Sequence, residues 1–155
     1  MSKWLSAAVL FFFLILTGCS ALNGLKGNKP PKTMVQVENQ TYDTKLGSYC
    51  WITKGNGECA DTAGPVDLLE GKKPIEVKPG ENVKIIMNYN PKPNEIHLTQ
   101  VNNGKESEIL LVKNQFSAPI NKGVYYYSYG VWWIDKKDEH LSHGDASYVF
   151  ALEVK

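Results

Sequence analysis

Arginine is absent from all 155 residues, and cysteine, histidine and methionine occur three times each. Seventeen lysines therefore stand as the only permanent side-chain cations against 16 acids, for a formal net charge of +1. A chain this close to neutral, with no guanidinium to fork onto phosphate or carboxylate, is a poor candidate for nucleic acid or acidic polymers. The signatures Gly-x-Ser-x-Gly and His-Glu-x-x-His are missing, as is a phosphate-cradling Gly-rich loop. Nothing selects a carboxylate pair for glycan hydrolysis, so a non-catalytic protein without a cofactor is expected. Disorder is excluded as well, because 43% of residues are apolar and 11% aromatic, enough to build a core. The length suits one domain.

The first residues carry a sharp signal. Lys3 supplies a positive start, and residues 5–16 form an apolar run of 12. A membrane span needs roughly 20 such residues, so the run fits a signal peptide instead. Leu16-Thr17-Gly18-Cys19 follows, with small residues before the bond that a peptidase would cut. These four positions resemble the lipobox of bacterial lipoproteins. The resemblance implies a signal peptide over 1–18, a diacylglycerol on the Cys19 thiol, and a chain held on the extracytoplasmic face of the cell membrane. Residues 19–33, rich in Gly, Asn, Lys and Pro, are expected to form a flexible tether.

From Met34 to Lys155 the pattern is β. Short alternating segments recur between Gly, Pro and Asn, and no long helical period stands out. Strands are expected at 34–38, 41–52, 74–78, 82–90, 95–101, 108–113, 124–133 and 146–154. Val83, Ile85, Met87 and Tyr89 would share one face; so would Tyr148, Phe150, Leu152 and Val154, and Tyr125, Tyr127, Tyr129, Val131 and Trp133. Half-buried strands of this kind suit two packed antiparallel sheets, a β-sandwich of about seven to eight strands. Ile75-Glu-Val-Lys-Pro-Gly-Glu-Asn-Val-Lys-Ile-Ile, Gly123-Val-Tyr-Tyr-Tyr-Ser-Tyr and Ser147-Tyr-Val-Phe-Ala-Leu-Glu-Val resemble strands of bacterial immunoglobulin-like domains. The lipobox, the Cys-Trp segment and the Tyr-rich strand together resemble small, mostly uncharacterised lipoproteins of Bacillus-type bacteria. That resemblance implies a location but no activity.

Four sets of residues are candidates for chemistry or binding. Cys50 and Cys59 flank a Gly-Asn-Gly turn and outside the cytoplasm favour a disulfide, with a redox pair or a soft-metal site as alternatives. His140, His143 and Asp145 fall in the acidic segment 135–145, which offers N and O donors for a divalent metal but matches no closed zinc or calcium pattern. His97, between Ile96 and Leu98, points away from the core. In the strand 124–133, alternation sends Tyr126 and Trp132 to the face opposite the core set, where amphipathic rings suit sugar, peptide or protein partners. If both faces were covered, loop 53–73 or neighbouring strands would provide the cover. The functional expectation is a membrane-anchored binding or adaptor domain with an envelope protein, peptide or glycan partner. The alternatives are a metal-dependent or redox activity using the His loop or the Cys pair, and a structural envelope or spore-associated protein.

Overall fold

The computed structural model describes residues 25–53 and 56–155, so the leader and the lipobox cysteine, Cys19, lie outside the described residues. These residues form β1 (Thr33–Val37), β2 (Gln40–Asp43), β3 (Lys45–Thr53), β4 (Asn56–Ala60), α1 (Pro65–Leu68), β5 (Ile75–Val77), β6 (Asn82–Met87), β7 (Glu95–Asn102), β8 (Lys105–Glu108), β9 (Gln115–Ser117), β10 (Gly123–Ile134) and β11 (Ser142–Val154). They make an all-β sandwich. One sheet runs β2-β1-β6-β9 and the other β4-β3-β11-β10-β7-β8, with β5 added alongside β11. All pairings are antiparallel except that of β5 with β11.

The order β1-β6-β9 facing β11-β10-β7-β8 is the immunoglobulin-like arrangement of strands A-B-E facing G-F-C-C′. Two details agree with it. The parallel β5–β11 pair adds a short strand at the edge of the last one. Tyr125, near the start of β10, donates its hydroxyl to the carbonyl of Asn121 at 2.9 Å, which is the tyrosine corner of such domains. Two positions later, where antibody domains place an inter-sheet cysteine, Tyr127 is fully buried. Its ring stacks on Phe150 at 4.9 Å and tilts against Phe116 at 5.2 Å.

Eleven strands exceed the expected seven or eight for reasons visible in the backbone. The segment read as one strand over 41–52 is two, β2 and β3, parted at Thr44. There the Thr44 N–H and hydroxyl both turn back to the Thr33 carbonyl, at 3.3 and 2.7 Å. The 53–73 loop contains β4 and α1. Strand β8, Lys-Glu-Ser-Glu, is exposed throughout, so it carries no apolar alternation, and its charges suit an unpaired edge. Residues 109–112, expected to extend a strand over 108–113, instead cross between the sheets.

The core sets are those expected from alternation. Val83, Ile85 and Met87 of β6 face Tyr125, Tyr127, Tyr129, Val131 and Trp133 of β10 and Tyr148, Phe150, Leu152 and Val154 of β11, and all of these are buried. Desolvation pushes the Tyr129 phenol up to about 12 and raises Tyr127 and Tyr148 too, so these hydroxyls remain donors. Tyr127 donates to Gln100 and Tyr148 to the Pro31 carbonyl, at 2.9 and 2.7 Å.

The segment expected to be a free tether is docked from Leu25 onward. Leu25 is 6% exposed and lies against Gly144, where an added Cβ would stand 2.6 Å from its Cδ1. Tyr89 Oη accepts from the Lys26 N–H at 2.6 Å and donates to the Lys26 carbonyl at 2.9 Å. Trp51 Nε1 donates to the Gly27 carbonyl at 3.0 Å. Trp51, Tyr89 and Trp133 meet edge to face, with centroids 5.0–5.7 Å apart. This aromatic trio closes one end of the sandwich and grips the chain there.

Truncating the fully buried ring at Tyr127 leaves a cavity and strands Gln100. Tyr127→Ala is expected to cost about 3–5 kcal/mol, lowering the melting temperature by roughly 10–20 °C in a domain of this size, as read by circular dichroism. At the docked end, Gly144→Ala is expected to displace Leu25 and speed amide exchange at Lys26 and Gly27, read by NMR. Unchanged exchange there would mean that Leu25 does not hold the segment down.

Candidate functional site

The outer face of the larger sheet carries the residues that alternation directs away from the core. Strand register sets them in rows. One row runs Glu95, Trp132, Asp145, Cys50, Cys59, because Trp132 pairs with Glu95 and Asp145, Asp145 with Cys50, and Cys50 with Cys59. The next holds His97, Gly130 and Ser147, and a third holds Glu108, Thr99 and Ser128. Ser48 joins the second row through a 3.3 Å hydrogen bond from Ser147 Oγ to its carbonyl.

Trp132 does not stand out from this face; it lies along the strand. The outer edge of its indole covers Gly130, where a Cβ would stand 2.6 Å from Cη2 and 2.9 Å from Cζ3. A side chain at position 130 would lift the ring, so this glycine is what lets the indole lie down. Gly130 is buried beneath Trp132, and Trp132 itself is half-buried, so this stretch of the outer face is not fully open. The ring borders a shallow hollow of about 310 Å³ lined by Ser48, Thr99, Ser128, Ser147, Asp145 and His97.

Charge around the hollow is negative. His97 Nδ1 lies 2.8 Å from Glu108 Oε1 and Nε2 3.2 Å from Glu95 Oε1. Both ring nitrogens thus face carboxylates, a geometry that only the imidazolium satisfies fully. The bonds to Glu108 and then Glu95 raise the His97 pKa above the ordinary imidazole range. The clamped ring meets Trp132 edge to face at 5.6 Å. Partial burial raises the Asp145 carboxyl, and the Cys50 N–H that it accepts at 3.3 Å opposes that shift.

The two rings expected on an open face are separated. Trp132 belongs to the hollow. Tyr126 is half-buried in a second apolar cluster with Leu68, Leu69, Val149 and Ala151, where α1 covers the sheet, so it leaves the candidate site. Pro65 at the first turn starts this helix, and the cover comes from within loop 53–73.

The Cys50 and Cys59 sulfurs are 2.05 Å apart, on directly opposed residues of the β3–β4 hairpin. The weak metal candidates are not brought together. His143 Nε2 lies 2.9 Å from Asp135 Oδ2. The His140 side chain is exposed, and its backbone N–H bonds Asp138. Asp145 sits beside Cys50. Among the described residues no three His, Cys, Asp or Glu side chains cluster at metal distance. Asp135 instead ties its own loop. The Lys137 N–H and the His143 ring, with the Asp138 N–H, hold its carboxyl below the usual range.

Alternation places His97 only as pointing away from the core and says nothing of its partners. Its clamp joins two strands, so only the β7–β8 register brings Glu108 beside it. A usable signal existed within β7, where Glu95 and His97 sit two residues apart on one face. No protein-family model matches this chain, and no curated protein matches it.

Two outcomes follow from this geometry. The His97 ring should titrate above the ordinary ~6.5, and Glu108→Gln should bring it down, followed by two-dimensional NMR. Because the folded value is the raised one, the clamp's contribution to stability is complete below the ordinary value and fades as pH rises through the folded one. Separately, the peptides holding Cys50 and Cys59 should run as one species, lighter by two hydrogens, in non-reducing mass spectrometry. Two thiols alkylated without reductant would exclude the bridge.

Proposed function

We propose that this chain is a lipid-anchored protein of the extracytoplasmic membrane face whose β-sandwich binds a partner without catalysing a reaction. The leader and Leu16-Thr17-Gly18-Cys19 support the anchor. Cys50 and Cys59, directly opposed on the β3–β4 hairpin, support an oxidising compartment. The observation that carries the binding half is Trp132, an indole laid over Gly130 beside a polar hollow on an uncovered part of the sheet. Large amphipathic rings that are half-buried before any partner arrives lose little freedom on binding.

The same face supports a non-catalytic reading. Ser48, Ser128, Ser147 and Thr99 offer hydroxyls near His97, the raw material of a nucleophile and base. A general base needs a free nitrogen lone pair. Both His97 nitrogens are occupied by carboxylates, so no hydroxyl can pass its proton there.

Two experiments test the two halves. Cys19→Ala should abolish incorporation of radioactive fatty acid, and labelling that survives would end the anchor reading. Trp132→Ala should weaken whatever is crosslinked to the lipidated protein in intact cells, while lowering the melting temperature far less than Tyr127→Ala. Undiminished crosslinking would move the binding surface elsewhere.

A further inference from the structure

We infer that the Trp132 hollow is a subsite for an uncharged sugar ring of an envelope glycan. The inference rests on the binding reading above and narrows it to a ligand class.

The location within the sheet speaks first. Strands β3, β11, β10 and β7 are each paired on both sides, so the backbone beneath the hollow has no free N–H or C=O row. An extended peptide adds itself to a sheet edge, and this site is not an edge. A ligand here must be read by side chains alone.

Those side chains define what is read. Trp132 is the one large apolar surface in the lining, and beside it stand four hydroxyl groups and one carboxylate. A pyranose ring presents a matching mixture. Its axial C–H groups form a small apolar patch for an indole, and its hydroxyls each donate and accept. Asp145 can accept two hydroxyl donors at once, bonds worth more than neutral ones. A side chain such as Leu or Phe would leave these polar groups unpaired, which binding does not tolerate.

Charge narrows the class further. No lysine lines the hollow, and the chain has no arginine. Glu95 and Glu108 flank the hollow, with His97 between them. A uronic acid, sialic acid or phosphorylated sugar would meet Asp145 and Glu95, and the one cation in the lining, His97, is already held between two carboxylates. At about 310 Å³ the hollow is at the small end of ligand sites, a size for one or two rings and not for a long buried oligomer. The ring that enters it would be part of a chain continuing across the open sheet.

The test uses the lipidated full chain in detergent, titrated by calorimetry with cellohexaose and fully N-acetylated chitohexaose as neutral probes and hexagalacturonate as the acidic comparator. Saturable binding of a neutral probe is expected, with no binding of the acidic one. Trp132→Ala should then lose at least about 30-fold in affinity, and Asp145→Asn and Ser128→Ala smaller factors. Trp132→Phe, which keeps an aromatic cover over Gly130, should retain part of the affinity and controls for misfolding. Failure of both neutral probes to bind at millimolar concentration overturns the inference. So does preference for the acidic probe, or neutral binding that Trp132→Ala leaves intact. If no sugar binds but Trp132→Ala still abolishes a crosslink to a protein in intact cells, the glycan class falls and the binding reading stands. Loss of neither leaves both without their surface.

Discussion

Strand β10 is hydrogen-bonded along both edges, to β7 and to β11, so its side chains have only two directions available. That single constraint organises the molecule. One direction fills the space between the sheets with Tyr125, Tyr127, Tyr129, Val131 and Trp133. The other must be dealt with residue by residue along the outer face. Near the start of the strand, α1 covers Tyr126. Further along, Trp132 covers Gly130. The hollow is what remains between those two covers, and its shape is a by-product of how each ring is accommodated.

The same strand explains why the fold needs few other devices. Tyr125 caps the entry to β10 through Asn121, Tyr127 takes the central position between the sheets, and Trp133 closes the far end with Trp51 and Tyr89. Each ring spends its polar atom on a carbonyl or amide oxygen, so burial leaves none of these groups unpaired. The Cys50–Cys59 bridge lies outside this system, on an edge hairpin. It staples β3 to β4 without linking the sheets.

What could be read from the residues was whatever depends on period. The inward sets of β6, β10 and β11 follow from alternation alone, and so does the sandwich. Elements without an apolar face left no trace of that kind. Strand β4 is almost entirely exposed and β8 wholly so, and both exist because a neighbouring strand offers them a ladder. The docking of residues 25–32 was hidden by composition. Gly, Asn, Lys and Pro suit a loose linker, yet the attachment uses backbone carbonyls and one leucine, which composition does not report. For the site, Trp132 was legible and Tyr126 was legible only as belonging to the same face. The clamp on His97 was not, since half of it comes from across the β7–β8 turn.

The grip of Trp51 and Tyr89 on Lys26 and Gly27 also fixes a leash. With the lipid on Cys19 that we propose, five residues, Ser20 to Gly24, separate the bilayer from the first docked side chain. Fully stretched, that length spans only about 20 Å. The domain would then ride close to the lipid surface, with its aromatic end and the 135–141 loop turned inward and the Gly80–Ile120 end turned out. Trp132 lies one residue from Trp133 and across from Asp145, the neighbour of Gly144 on which Leu25 sits. The hollow therefore belongs to the inner end of the molecule. Whatever occupies it would have to come down to within a few nanometres of the membrane, and material confined to the outer layers of an envelope would pass over it.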